Sequence, residues 1–162
     1  VAEAVTPVYS AANFAYTNTP IVGDRFLCVG DAVAFIDPIF SSGVFIAMRS
    51  AELAAQTILE AFAKNRFSAR RFAAYERSVF RGMAPFFKFI HKYYEPSFMD
   101  LFLRPKNAFG MVTAVLNVLS GGSFIRMPLR VRASLTLLFT IARINTWARR
   151  RAGLPIESRL EW

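Results

Sequence analysis

Cysteine is almost absent. Cys28 is the only one in 162 residues, which excludes an internal disulfide framework and fits a reducing compartment such as the cytoplasm. Histidine is just as scarce. With His91 alone beside one thiol, a structural zinc site lacks ligands. No Gly-x-Ser-x-Gly nucleophile elbow accompanies His91, so a Ser-His-Asp hydrolase finds no support. The Gly-x-Gly-x-x-Gly dinucleotide fingerprint is missing too. So is any run of about 18 uncharged apolar residues; the nearest, Phe109 to Leu119, is too short to span a bilayer and reads as a buried helix. The N-terminus has no basic start followed by an apolar core and a small-residue cleavage site, so no signal peptide is expected. The chain starts at Val1 rather than Met, which suggests a processed chain or a fragment. Charged residues are only 19% against 54% hydrophobic, too apolar for a disordered chain.

Phenylalanine, by contrast, is abundant at 17 copies and demands a large interior, an apolar binding surface or a further part of the protein to pack against. Basic charge is abundant and lopsided. Residues 1–64 hold three basic and six acidic residues, a net of −3, while residues 65–162 hold seventeen and five, a net of +12. Such asymmetry can mark nucleic-acid or anionic-membrane binding, or the solvated faces of arginine-rich helices. The arginines here are separated by apolar runs that look like packing faces, which argues against nucleic acid and leaves membrane contact as the less favoured option.

Along the chain, residues 4–18 alternate weakly (Val5, Val8, Tyr9, Phe14, Tyr16) and suggest one or two short extended pieces. Asn18-Thr19-Pro20 and Gly23-Asp24 are turn signals. Arg25 to Gly30, a short apolar run closed by glycine, reads as a fully buried strand of a parallel sheet whose other strands lie outside the chain. Residues 31–42 read as a loop. A helix is expected over 43–63, a second one from an N-cap at Ser68 to Glu95-Pro96 with a kink at Gly82 and Pro85, and further helices over 98–103, 108–119 and from Pro128 to Arg151. The tail from Ile156 to Trp162 reads as irregular. The aromatic stretch Phe86-Phe87-Lys88-Phe89-Ile90 with Tyr93-Tyr94 reads as helix packing, with a cavity for an aromatic substrate as the alternative.

The chemistry concentrates between Gly30 and Val44. A strand ending at Gly30 turns sharply at the carboxyl end of a sheet, where α/β sheets place ligands. Asp31 offers a carboxylate to a hydroxyl-rich ligand, and Ser42-Gly43-Val44 begins a helix whose free N–H groups favour negative charge. Gly43 lets the backbone approach a flat ring. Taken singly, Asp31 and Asp37 can be turn formers and Ser42 a cap.

The segment from Val29 to Ala47, with its Gly30-Asp31 element and Asp37-Pro38-Ile39-Phe40-Ser41-Ser42-Gly43-Val44 extension, resembles the second FAD-binding motif of flavin-dependent halogenases. It is also similar to related FAD monooxygenases and geranylgeranyl-reductase-like enzymes. The aromatic helical tail with Tyr93-Tyr94-Glu95-Pro96 looks similar to that group's C-terminal region. The resemblance implies a mainly α fragment of an α/β, Rossmann-type FAD-binding flavoenzyme, with few short strands before a helical C-terminal region. Residues 1–64 would close the FAD-binding domain and 65–162 would form the helical region. It implies that Asp31 binds the ribityl chain after the Gly30 turn, Pro38 lies against the isoalloxazine, and Gly43 and Val44 face its pyrimidine edge. Chloride or bromide would bind near Ser42 and Gly43.

The implied reaction is oxygen activation on reduced FAD supplied by a flavin reductase, with an aromatic or other small molecule as substrate. Where tryptophan-type halogenases carry a glutamate, this chain has Phe40, which points to the phenol- and pyrrole-type group. The Trp-x-Trp-x-Ile-Pro motif and the halogen-carrying lysine are missing and would lie upstream of Val1 in an N-terminal portion, so no catalytic residue is assigned and the chain alone should bind FAD poorly. A flavin hydroxylase or reductase without halide chemistry is the enzyme rival; a helical membrane-surface or interaction module is the non-enzyme rival.

Overall fold

Five helices carry the described chain, each starting close to a signal in the sequence. The computed structural model describes residues 5–7, 9, 15–103, 108–125 and 127–154. Helix α1 spans Gly43–Ala63 and buries a stripe of small or slim residues, Ile46, Ser50, Ala54 and Ala61, which brings its backbone close to the preceding turns. It ends as expected: Asn65 adopts a left-handed conformation (φ 46°) and the Arg66 N–H donates to the Ala61 carbonyl at 2.9 Å.

Helix α2, Ala69–Tyr93, turns Phe72, Tyr75, Val79, Met83, Phe86 and Ile90 inward at helical spacing. Ser68 stands at its N-cap, but the serine side chain makes no capping bond. The Ala69 N–H is satisfied by Asp24 Oδ1 at 2.7 Å. A carboxylate from a turn 45 residues upstream is the stronger acceptor at the positive end of a helix. The helix runs through Gly82 and Pro85 as one element. Proline removes the ladder donor to the Arg81 carbonyl, and at the next carbonyl, Gly82, the Ser123 hydroxyl donates at 2.8 Å.

Helix α3 covers Pro96–Leu103, α4 Met111–Leu119 and α5 Leu129–Arg151. Helix α4 starts later than the sequence suggested because Phe109 and Gly110 both take positive φ (55° and 69°), turning the chain before the helix can begin. The tail at 156–162 and about half of the extended stretch at 4–18, with Val8 and Phe14, lie outside the described residues; of the rest of that stretch, Tyr16–Thr17 forms strand β1.

The expected buried parallel strand is corrected. Strand β2 (Val22–Gly23) and strand β3 (Phe26–Leu27) form an antiparallel hairpin, extended by the Cys28 N–H donating to the Ile21 carbonyl at 2.8 Å. Phe26 is 49% exposed, and Cys28 is half-buried rather than enclosed. The turn between them is Asp24-Arg25, one residue on from the expected signal, with Arg25 left-handed at φ 65°, so the backbone pairs with its nearest neighbour in sequence. Strand β1 pairs antiparallel with β4 (Ala34–Phe35), which interrupts the expected loop.

Two hydrophobic clusters form the interior. One joins α1 and the buried face of α2 from Phe72 to Ile90 to the strands and turns through Ile21, Val33, Ile36, Ile46 and Val79. The other joins the end of α2 to α3, α4 and α5 through Phe89, Phe98, Val118 and Leu138. Phe40 packs against both. Its ring stands edge-on to Phe89, Tyr93 and Phe102 at 6.2, 5.6 and 5.7 Å. The phenylalanine surplus is thus spent largely on these clusters, and Phe86 and Phe89 are fully buried.

Candidate functional site

A sharp turn at Gly30–Ala32 lies against α1. Gly30 is buried at φ 57°, and a Cβ there would sit 3.2 Å from the Ala47 Cβ, so both conformation and space select glycine. Its N–H donates to Ser50 Oγ at 2.9 Å, and the Ser50 hydroxyl donates onward to the Ala47 carbonyl at 2.9 Å. The next residue, Asp31, is exposed, and among the described residues its carboxylate has no hydrogen-bond partner. Its backbone is held: the Tyr16 hydroxyl donates to the Asp31 carbonyl at 3.0 Å, and Asn18 Nδ2 to the Ala32 carbonyl at 2.9 Å. Strand β1 and the residue after it therefore hold the main chain of the turn, while the carboxylate has no partner among the described residues.

The second turn, Asp37 to Ser41, presents an exposed Pro38. Asp37 Oδ1 accepts the Ile39 N–H at 3.2 Å and Oδ2 accepts the Tyr94 hydroxyl at 2.5 Å. That bond, then burial and the nearby Asp37 charge, push the Tyr94 phenol up to about 12. Ser41 turns the chain at φ 50° into the start of α1.

Ser42 is 4% exposed and caps no helix N–H, and its Oγ has no hydrogen-bond partner among the described residues. An orphaned buried hydroxyl costs about 1–3 kcal/mol unless something outside the chain satisfies it. The ladder of α1 begins only with the Ile46 N–H donating to the Ser42 carbonyl at 3.0 Å, so the amides of Gly43, Val44 and Phe45 precede it at the positive end of a 21-residue helix. Nothing lies within 4 Å of a Cβ built on Gly43, and Val44 is 74% exposed.

Pro38, Ser42, Gly43 and Val44 thus share one rim at the start of α1, with the Gly30-Asp31 turn pinned to the same helix at Ser50. The sequence reading missed the residues that hold this rim. Ser50 has a signal, being the one polar residue in the buried stripe of α1. Tyr94 and Tyr16 act over 57 and 15 residues of sequence and have none. Tyr75 likewise donates to the Cys28 carbonyl at 2.5 Å behind the turn, and burial, then the Cys28 thiol, raises its phenol to about 12. His91 is exposed, and among the described residues no three His, Cys, Asp or Glu side chains gather as metal ligands. No described helix is long and apolar enough to cross a membrane.

The chain is 41% identical over 92 residues to a 1H-pyrrole-2-carbonyl-(peptidyl-carrier protein) chlorinase of Pseudomonas fluorescens, covering 57% of this chain and 20% of that one. It is 47% identical over 64 residues to the corresponding brominase of Pseudoalteromonas luteoviolacea, covering 40% and 16%. A flavin-dependent halogenase of Armillaria mellea is 52% identical over 52 residues, covering 32% and 10%. The chain therefore spans a fifth or less of the length of these curated relatives. The family model described as tryptophan halogenase matches residues 18–100, just over half of the chain and all of the rim described above. The resemblance carried by Val29 to Ala47 holds, and the chain belongs to the tryptophan halogenase family.

Proposed function

We propose that this chain supplies the ribityl- and isoalloxazine-facing part of an FAD-dependent halogenase. The observation that carries the reading is Ser42: a buried hydroxyl without a described partner, beside open space at Gly43 and unladdered amides at the positive end of α1. A halide or the pyrimidine edge of a reduced flavin would satisfy all three. Asp31 accepts from ribityl hydroxyls, Pro38 lies against the ring, and the Gly43 and Val44 amides face the pyrimidine edge. When bound, reduced FAD supplies the two electrons for O₂ activation, through which chloride or bromide becomes an electrophilic halogen. A flavin reductase supplies the reduced cofactor.

The substrate class follows from the two bacterial relatives, each named for a pyrrole-2-carbonyl group on a peptidyl-carrier protein. We assign this chain the same class. Residues 1–64 close the FAD-binding domain and 65–162 form the helical region. The outward face of α1 supports a larger assembly: Val44, Met48, Leu59 and Phe62 are all exposed on it, and the rest of the FAD-binding domain would cover them. The scarce thiol content favours the cytoplasm.

The test uses the full-length protein. Asp31→Ala should lower bound-flavin absorbance, and an unchanged flavin content would remove its assigned role. Product masses in chloride against bromide should differ by the halogen exchanged; a halide-independent, oxygenated product would make the enzyme a hydroxylase instead.

A further inference from the structure

We propose that the groove between α2 and α5 receives the phosphopantetheine arm of the carrier protein, an inference that rests on the carrier-bound substrate class proposed above. The groove encloses about 1160 Å³. Phe124, Leu135 and Phe139 give it apolar walls, while Arg81, Lys88 and Arg132 line it with positive charge and no acidic residue does. The ion pairs of the described residues lie elsewhere, at Arg49–Glu52, Arg71–Glu60 and Lys92–Glu95. Helix α5 contains no Asp or Glu at all. Lys88 is exposed, and its Nζ lies 4.0 Å from the Phe139 ring centre, so a cation is held over the apolar wall. Three cations without an ion-pair partner among the described residues, around an apolar trough, suit a ligand with a permanent anionic charge and an uncharged chain. A phosphodiester attached to a pantetheine chain has that chemistry.

One side of the groove is close to the start of α1. Its inner wall is Phe124, whose ring occupies the space a side chain would need at Gly82; a Cβ there would lie 2.2 Å from Phe124 Cδ1. On its other side Phe124 stands edge-on to Phe45 at 5.7 Å. Phe45 is the third residue of α1, directly after Gly43 and Val44. An acyl group at the inner end of the arm would rest against Phe124, one ring away from Phe45 and the start of α1. The cations at the outer part would hold the phosphate and fix how far the arm penetrates.

The experiment uses the full-length flavin-loaded protein and a peptidyl carrier protein charged with pyrrole-2-carbonyl. Lys88→Glu combined with Arg132→Glu should raise KM for the charged carrier about tenfold or more with kcat and flavin content unchanged, as expected when a steering and anchoring contact is reversed. Coenzyme A, which contains the same arm, should compete with the carrier on the parent protein and lose that effect on the variant. Arg143→Glu, exposed on α5 outside the groove, should leave KM unaltered. If the double reversal lowers flavin content, Lys88→Ala with Arg132→Ala replaces it. An unchanged KM in the folded variants overturns the groove assignment, as does a loss confined to binding of phosphatidylglycerol-containing vesicles. If the parent protein halogenates free pyrrole-2-carboxylate and ignores the charged carrier, the substrate class itself fails and the groove loses its occupant.

Discussion

The Tyr94 hydroxyl donates to Asp37 Oδ2 at 2.5 Å, tying the end of α2 to the Asp-Pro turn that presents Pro38. The two residues lie 57 positions apart. The bond makes the helical region part of the rim, because Asp37 also accepts the Ile39 N–H inside the same turn.

Tyr94→Phe should therefore cost about 1 kcal/mol, a charged hydrogen bond discounted for its exposed position. Its pH dependence has a definite sign. The folded phenol is raised from 10.0 to about 12, so the folded state holds the proton more tightly than the unfolded chain. The stabilisation is complete below the unfolded value and is lost as pH rises through the folded one. Urea unfolding of the parent and the variant should differ by a constant amount at neutral pH and converge between pH 10 and about 12. Tyr75 is raised as well, but it is present in both proteins and cancels.

Ser42→Ala should separate folding from function. The side chain is buried, makes no cap bond and has no described partner, so removing the hydroxyl should leave the flavin-free protein as stable or stabilise it by up to about 1 kcal/mol. Halide-dependent turnover should fall, with the KM for chloride rising. Thermal unfolding without flavin and a chloride titration with it check the two halves. A loss of stability without flavin would show that the hydroxyl serves the fold.

Helix spacing was the most legible part of this chain. The span of α1 follows from alanine-rich propensity and a clear stop, and α2 follows from apolar residues repeating against arginines. Motif chemistry located Gly30, Asp31 and the start of α1 because each depends on neighbours in sequence. What was not legible depends on distant partners. Asp24 caps α2 in place of Ser68, the Arg25–Gly30 run folds into a hairpin, and Phe40 joins two clusters. Composition offers no way to distinguish a hairpin strand from a parallel one when the pairing partner decides it.

Gly43→Ala offers a second separation. The site has no neighbour within 4 Å for the added methyl, and its φ is not in the left-handed region. Alanine is the better helix former by about 0.8–1 kcal/mol in an interior and less in a first turn, so the flavin-free protein should not lose stability. If a flat ring packs against Gly43, the methyl must collide with it. Flavin retention and turnover should then drop while the flavin-free melting temperature holds or rises. Full flavin occupancy in the variant would move the ring away from this residue.

Phe40 is a packing residue between the Asp-Pro turn and the helical region. Its ring meets Phe89, Tyr93 and Phe102 edge-on and touches both core clusters, so it couples the Asp-Pro turn to α2 and α3. A fully buried Phe→Ala change costs about 3–5 kcal/mol, and Phe40 is only partly buried, so Phe40→Ala should cost about 2–3 kcal/mol. Phe40→Leu should recover most of that. Phe40→Glu should be the least stable of the three at neutral pH, because it places a carboxylate among three aromatic rings. Acid should narrow the gap between Phe40→Glu and Phe40→Ala by neutralising that carboxylate. Urea titrations of the four proteins at pH 7 and pH 5 would show this order. A glutamate variant as stable as the parent would mean that the position opens to solvent and that the three rings do not enclose it.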